Sequence, residues 1–156
     1  MARVIARQRA TVILMHNQDG TEYDRDIIEA IKEFFRRSFD IAGCAGIDEN
    51  RIMIDPGIGF GKTVEHNIEV IRRLDELTSI DGRRYPLLLG TSRKSFIGKT
   101  FDLDVSERDE ATGATCVMGI ERGANIVRVH DVKMASRMCR MTDIILGVGA
   151  NGQNKA

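Results

Sequence analysis

Four short apolar runs recur at nearly constant spacing along this 156-residue chain, and each of them ends in polar residues. They read TVILMH (11–16), RIMIDPG (51–57), YPLLLGTS (85–92) and NIVRVHD (125–131). Runs that stay apolar without alternating are typical of strands buried on both faces of a parallel sheet. The spacing therefore predicts an α/β chain made of four strand–helix units.

Helical patterns of apolar residues separate these runs, over residues 24–42, 64–77, 111–122 and 132–146. The helix charges are expected to face solvent, and the core is expected to include a stripe formed by Met134, Met138, Met141 and Ile145.

Parallel strands joined by right-handed crossovers place all their carboxyl ends on one rim, where α/β proteins bind ligands. Polar residues occur at these four ends, 37 to 39 residues apart, and they are His16, Asp55, Ser92 and His130. The repeat therefore predicts a single site.

Composition excludes several classes of function. The net charge of zero and the absence of Trp give no reason to expect a nucleic-acid partner or an anionic membrane surface. No apolar stretch approaches the ~20 residues of a membrane-spanning helix. The three cysteines, Cys44, Cys116 and Cys139, are far apart and lack CxxC spacing. They are predicted to be reduced packing residues of a cytoplasmic protein, and no metal site of the protein's own is predicted.

The glycine-rich stretch DPGIGFGKT (55–63) resembles two phosphate-binding loops without matching either of them. A Walker A loop would need glycine where Pro56 stands, and a dinucleotide fingerprint would need glycine where Lys62 stands. The stretch is interpreted instead as a strand–helix loop whose glycines permit positive φ and close approach of a ligand.

Read together, the four strand ends resemble one family closely. LMHNQDG (14–20), IDPGIGFGKTVEHN (54–67), GTSRKSFIG (90–98) and IVRVHDV (126–132) occur in the order and spacing of dihydropteroate synthase, the folate-pathway enzyme that sulfonamides inhibit. The resemblance runs from about residue 1 to 146. It implies a TIM-type (βα)8 barrel and a transferase that joins 6-hydroxymethyl-7,8-dihydropterin pyrophosphate to 4-aminobenzoate, with the help of Mg²⁺.

The resemblance also implies roles for individual residues, the catalytic ones being Lys94, Asp55, Arg128 and His130. Asp55 would hydrogen-bond the pterin ring, since a buried carboxylate accepts bonds from amide-like donors on the pterin edge. Lys94 would contact the pterin and border the aminobenzoate site, and Ser92 would lie near the aminobenzoate carboxylate.

The remaining roles concern the ring slot and the leaving group. By resemblance, Met15, Phe60 and Gly90 would line the pterin slot. Arg128 and His130 would hold the pyrophosphate, because an Arg fork and an imidazole stabilise the negative charge that develops as the C–O bond breaks. An electron-rich pterin stabilises a positive methylene group, so an SN1-like displacement is expected, with no covalent enzyme intermediate.

Four polar residues near these motifs also have structural interpretations. Arg93 is expected to be a loop-stabilising cation and is left out of the catalytic set. His66 and Asn67 are expected to cap or pack a helix. For His16, a buried rim histidine and a direct catalytic role both stay open.

The chain departs from the family in length, because a complete barrel takes about 250 residues. Its four units resemble the fifth to eighth of the family, so residues 1–146 are predicted to form the second half of a barrel and residues 147–156 a disordered tail. No residue matches the family's first-half pterin Asp and Asn or its pyrophosphate loop. Mg²⁺ ligands are accordingly expected mainly from the substrate pyrophosphate and the missing half.

Two hypotheses follow from the half-barrel. The chain is either a partial synthase with little activity alone, or it pairs with another chain, as a homodimer or with a complementary half-barrel. Pairing would use the sheet edges and an apolar inner face that includes Ile13, Met53 and Leu88.

Two other functions stay open. A pterin-binding module like that of corrinoid methyltransferases would share the fold and the aspartate, but it has no need of the SRK motif (92–94). A purely structural or interaction protein would not need polar groups at all four strand ends.

Overall fold

The computed structural model describes residues 1–148 of the chain. The helices are α1 Ala2–Gln8, α2 Ile27–Cys44, α3 Val64–Arg72, α4 Ser95–Phe101, α5 Asp109–Glu121 and α6 Val132–Ile145. The strands are β1 Val12–Met15, β2 Ile52–Asp55, β3 Ser79–Ile80, β4 Arg83–Arg84, β5 Leu88–Leu89 and β6 Ile126–Val127. Short 3₁₀ turns lie at Glu49–Arg51, Leu74–Leu77 and Val105–Glu107.

The four predicted strands lie side by side in the order β1-β2-β5-β6, and every neighbouring pair is parallel. In β1 and β2, Met15 lies in register with Asp55. A single bridge between Ile54 and Leu87 joins β2 to the segment that leads into β5. This confirms the predicted α/β architecture with repeated βα units, and all four strand ends fall on one rim.

Within residues 1–148 the sheet stays open and does not close into a barrel. Ile13 on the outer strand β1 is 47% exposed and Ile126 on β6 is 36% exposed. Leu88, which was predicted to line the same uncovered face, is instead buried, and Met53 is partly buried. The apolar surface left open therefore lies toward the two edges of the sheet.

Helix α2 shows why these sequences form helices here. The Asp26 carboxylate accepts hydrogen bonds from the backbone N–H groups of Ile28 and Glu29, so it satisfies donors that a helix start leaves free. Ile28, Ile31 and Phe35 recur at helical spacing and are fully buried in the core. The apolar stripe thus fixes the helix against the sheet.

Helix α6 corrects one expectation about its methionine stripe. Met134 and Met138 are partly buried and reach Gly113 of α5, where a side chain would collide with the Met138 sulfur. Met141 is 58% exposed and Ile145 is 73% exposed, so the second half of the stripe is not core. Of the four residues in this stripe, Met134 and Met138 are therefore the two that are partly shielded from solvent.

The strands β3 and β4 form an antiparallel hairpin that was not predicted, although Asp81-Gly82 at its turn, both with positive φ, is a strong hairpin signal.

Cys116 is buried and Cys139 partly so, but Cys44 is exposed, which corrects its assignment as a packing residue. No helix among residues 1–148 has the length and apolar composition needed to cross a bilayer. Of the predicted tail, residues 149–156 lie outside the described residues.

Candidate active site

A cavity of about 250 Å³ opens on the rim formed by the strand ends. It brings together six of the eight residues proposed from the sequence, with Val129 as an added neighbour, and its lining is Phe60, Gly90, Ser92, Lys94, Arg128, Val129 and His130. The cavity thus carries two cationic side chains and an imidazole. Such a lining suits a ligand with negative charge.

Asp55 lies directly beside this cavity, at the end of β2, and is only 3% exposed. Its Oδ1 accepts a hydrogen bond of 2.8 Å from the backbone N–H of Gly57, and its Oδ2 lies 3.7 Å from Nη2 of Arg128. Burial raises the pKa of the Asp55 carboxyl, while the Gly57 hydrogen bond and the charges of Arg128, Lys94 and Lys62 oppose that rise. The arrangement holds a desolvated carboxylate among cations.

Lys94 lies across the cavity with its ammonium 4.0 Å from the centre of the Phe60 ring. Its methylene stem passes over Gly59, where an added Cβ would be 2.9 Å from Cδ and where φ is +81°. Only glycine suits that position. Burial lowers the pKa of Lys94, Arg128 lowers it further, and Asp55 acts in the opposite direction.

The ends of β5 and β6 are tied together by Ser92 and His130. The Ser92 hydroxyl lies 2.8 Å from Nδ1 of His130 and accepts a hydrogen bond of 3.1 Å from the His130 backbone N–H. The Arg128 guanidinium rests over Gly90, whose added Cβ would be 3.0 Å from Nη2. These contacts orient the imidazole and the guanidinium toward one space.

Met15 is the one predicted site residue that the structure places elsewhere. It is in register with Asp55 but lines a separate, mostly apolar cavity of about 350 Å³, together with Ile13 and Phe34 on the outer side of β1. Its predicted contact with a pterin stays a prediction.

Arg93 has the structural role that the sequence predicted. Its guanidinium makes a bidentate ion pair with Asp109, at 2.9 and 2.7 Å. Its backbone N–H donates to the Thr112 hydroxyl, and its carbonyl accepts from Arg108, which holds φ at +56°. Helix α5 thereby fixes the turn that carries Ser92 and Lys94 into the cavity.

His66 and Asn67 also behave as predicted. His66 completes a capping box with Thr63 at the start of α3. The Asn67 side chain accepts from the Gly59 N–H at 2.6 Å and donates to the Thr63 carbonyl at 2.6 Å. Both residues hold the loop between β2 and α3 in place.

Sequence reasoning did not identify Lys62 as part of the site, and it left the role of His16 open. His16 is 2% exposed, and its Nδ1 lies 2.8 Å from Nζ of Lys62, which is 9% exposed. Burial, helped by the charges of Lys62 and Arg37, lowers the pKa of His16 to about 3, so the imidazole is neutral. The signal that could have pointed to Lys62 is its place directly after a glycine-rich strand–helix loop.

The chemistry of these donors does not suit Mg²⁺, which prefers carboxylate and carbonyl oxygens. The cavity presents mainly cationic groups, and Asp55 has one oxygen committed to Gly57. Among residues 1–148, no three His, Cys, Asp or Glu side chains gather to hold a metal ion. The residues around this cavity therefore do not fit a bound Mg²⁺ ion.

The sequence of this chain matches a known family over most of its length. The family described as "Pterin binding enzyme" matches residues 1–130. Dihydropteroate synthase from Bacillus subtilis (strain 168) is 45% identical over 149 residues, which are 96% of this chain and 51% of the relative. The enzyme of the same name from Clostridium beijerinckii is 47% identical, over 94% of this chain and 53% of its own length. The chain spans about half the length of these curated relatives.

Solved structures agree with this comparison. A dihydropteroate synthase from Clostridium difficile, determined in the presence of pteroic acid, is 53% identical with a TM-score of 0.89, covering 93% of this chain and 54% of that one. The Xanthomonas albilineans enzyme with 4-aminobenzoic acid is 30% identical with a TM-score of 0.87, over 94% of this chain and 53% of that one. With a parallel βα sheet, a polar rim and these matches, the chain belongs to the family of pterin-binding enzymes.

Proposed function

We propose that this chain carries part of a dihydropteroate synthase site. The reaction joins 6-hydroxymethyl-7,8-dihydropterin pyrophosphate to 4-aminobenzoate and releases pyrophosphate. The observation that carries the proposal is the gathering of Lys94, Arg128 and His130 around one cavity beside the buried carboxylate of Asp55. The matched relatives bear the same enzyme name, and two of the solved ones were determined with pteroic acid or 4-aminobenzoic acid.

The proposed chemistry is an SN1-like displacement. The C–O bond to the pyrophosphate breaks, and its electron pair leaves with the oxygen, where Arg128 and His130 stabilise the growing negative charge. The pterin methylene is left positive, and the Asp55 carboxylate accepts hydrogen bonds from the pterin ring edge. The aniline nitrogen of 4-aminobenzoate then forms the new C–N bond and releases one proton to solvent water. Ligands for Mg²⁺ are proposed to come mainly from the substrate pyrophosphate and from the half of the family's barrel that this chain does not span.

The side chains around the cavity suit both substrates. Lys94 borders the pterin slot with Phe60, and the Ser92 hydroxyl lies two residues away in the same turn, beside His130, where it would donate a hydrogen bond to the carboxylate of 4-aminobenzoate. The free thiols of Cys44 and Cys116 accord with the proposed location in the reducing cytoplasm.

A titration with inorganic pyrophosphate tests the charged half of this site. Replacing Arg128 by Met removes the guanidinium but keeps most of the side-chain volume. We expect wild-type chain to bind pyrophosphate weakly and the Arg128→Met variant to lose about tenfold in affinity, since hydrogen bonds to charged groups contribute roughly 1.5–3 kcal/mol. Isothermal titration calorimetry measures this, with Arg137→Met on the exposed part of α6 as a matched control. Equal pyrophosphate affinity in the wild type and Arg128→Met would contradict the proposed role.

A pterin-binding module without synthase activity is the second candidate. The SRK turn argues against it, because α5 fixes that turn through Arg93 and thereby brings Ser92 and Lys94 into the cavity. Binding of 4-aminobenzoate in the presence of pterin and pyrophosphate separates the two candidates. A synthase site binds it, and a pure pterin module does not.

We further propose that a second chain covers the open edges of the sheet, as a homodimer or as a complementary half-barrel. Ile13 on β1 exposes apolar surface along a strand edge whose backbone groups are available for pairing. Analytical ultracentrifugation at micromolar concentration should show twice the monomer mass for the wild type. Ile13→Lys should shift it to monomer, whereas Val105→Lys at another exposed site should not. A wild-type monomer under these conditions would exclude the homodimer.

A further inference from the structure

The ammonium of Lys62 is surrounded by three hydrogen-bond acceptors, one for each of its protons. Nζ lies 2.8 Å from Nδ1 of His16, 3.0 Å from the Gly57 carbonyl oxygen and 3.1 Å from the Phe60 carbonyl oxygen. The lysine is 9% exposed, so it gives up most of its hydration to make these bonds. An ammonium satisfied in this way connects strand β1 to the loop that follows β2.

That loop, Gly57–Gly61, is folded directly onto the end of β1. Gly57 has φ +69°, and an added Cβ would lie 1.8 Å from the His16 carbonyl oxygen, so backbone touches backbone there. The Tyr23 hydroxyl donates a hydrogen bond of 2.8 Å to the Gly61 carbonyl at the other end of the loop. Lys62 therefore holds the Gly57 and Phe60 carbonyls of the loop, and Tyr23 holds the Gly61 carbonyl.

The loop carries two groups that the proposed site uses. Phe60 forms one wall of the cavity and supports Lys94, and the Gly57 N–H donates to the Asp55 carboxylate. The Lys62 charge also acts on Asp55 through space, favouring its ionised form. Movement of the loop would therefore displace Phe60 from the cavity wall and also disturb the hydrogen bond that Gly57 donates to the Asp55 carboxylate.

Protonation states follow from the contacts and the charges that face them. Burial lowers the pKa of Lys62 to about 8, while Asp55 acts to raise it. His16 faces Lys62 and Arg37, and its pKa lies far lower. Near neutral pH the ammonium is therefore the donor and Nδ1 the acceptor, which leaves the imidazole proton on Nε2.

We propose that Lys62 is a positioning residue, which clamps the Gly57–Gly61 loop and holds His16 as the neutral Nε2–H tautomer beneath the pterin site. The inference deepens the proposed function, and it rests on that function only for the ligand. Lys62 itself does not line the cavity that holds Lys94 and Arg128. Its effect on a pterin passes through Phe60 and Asp55.

The first test uses the wild-type chain without any ligand. Long-range ¹H–¹⁵N NMR should show His16 with an unprotonated Nδ1 and a protonated Nε2, unchanged between pH 5 and 7. Hydrogen exchange at the Gly57 and Gly59 amides, corrected for intrinsic base catalysis, should quicken by about tenfold above pH 8.5, as Lys62 loses its proton. The Phe35 amide in the core serves as the internal control. An Nδ1–H tautomer, or loop exchange with no change across pH 8, would overturn the clamp.

The second test uses two substitutions at Lys62. Lys62→Met keeps the length of the stem and removes all three donors, so we expect faster exchange of the loop amides, a His16 that begins to titrate above pH 5, and about tenfold weaker binding of 6-hydroxymethylpterin. Lys62→Arg keeps a charged donor and should recover part of the loop protection. If Lys62→Met leaves both loop exchange and His16 unchanged, Lys62 is not the clamp. If the wild-type chain keeps the clamp but binds no pterin, that result would count against the proposed function alone.

Discussion

Replacing Asp55 by Asn is expected to weaken the binding of 6-hydroxymethylpterin to this chain by about 100-fold. The carboxylate is 3% exposed and has one oxygen held by the Gly57 N–H, so its remaining oxygen is the acceptor that faces the site. An amide would present either a weaker acceptor or an NH₂ group that opposes donors on the ligand. Removing a charge-assisted hydrogen bond of this kind costs roughly 1.5–3 kcal/mol, and a buried group left mispaired adds to that cost.

Fluorescence or calorimetric titration measures the loss, with Asp40→Asn on the exposed surface of α2 as the matched carboxylate-to-amide control. The pH dependence gives an independent check. Because burial raises the pKa of Asp55 above its ordinary 3.8, wild-type affinity should fall on acidification while the pH is still above that value. The fall should be absent in Asp55→Asn. An asparagine variant that binds pterin as well as the wild type would remove Asp55 from the proposed site.

The sequence allowed the sheet and most of the cavity to be predicted for one physical reason. Apolar runs such as 51–57 specify buried parallel strands, and parallel strands must end on the same rim. The polar residue at each end is then placed by topology alone, which is why Ser92 and His130, 38 residues apart, lie within hydrogen-bond distance. The position of a side chain at a strand end can therefore be predicted from the order and direction of the strands.

Other features depend on neighbours that a local pattern does not contain. The sequence pattern shows Lys62 only as a mismatch to a loop motif. Nothing in the residues around it indicates that its side chain contacts His16. Burial of a lysine is decided by three acceptors from two separate segments. In the same way, Met141 and Ile145 fit a helical stripe, yet they are exposed, whereas Met134 and Met138 of the same stripe reach Gly113 of α5.

Acid is expected to destabilise this chain through His16. The pKa of His16 is about 3 in the folded chain and near its ordinary 6.5 when unfolded. Between these values the unfolded chain binds one more proton, so the free energy of unfolding falls as pH decreases. A pKa unit corresponds to 1.36 kcal/mol, so the expected loss from pH 6.5 to 4.5 is about 2 kcal/mol from this one residue. Such a loss is a large share of the 5–15 kcal/mol that stabilises a typical domain.

A His16→Asn variant separates this effect from other titrating groups. Its side-chain oxygen keeps an acceptor for Lys62 but takes up no proton in this range, so its stability should depend less steeply on pH than that of the wild type. Urea unfolding at pH 4.5, 5.5 and 6.5, followed by circular dichroism, gives both slopes. The difference between the two proteins belongs to His16, because His66 and His130 are present in both. Parallel slopes would mean that His16 gains its proton in the folded chain, and the buried contact between its Nδ1 and the Lys62 ammonium could then not persist in acid.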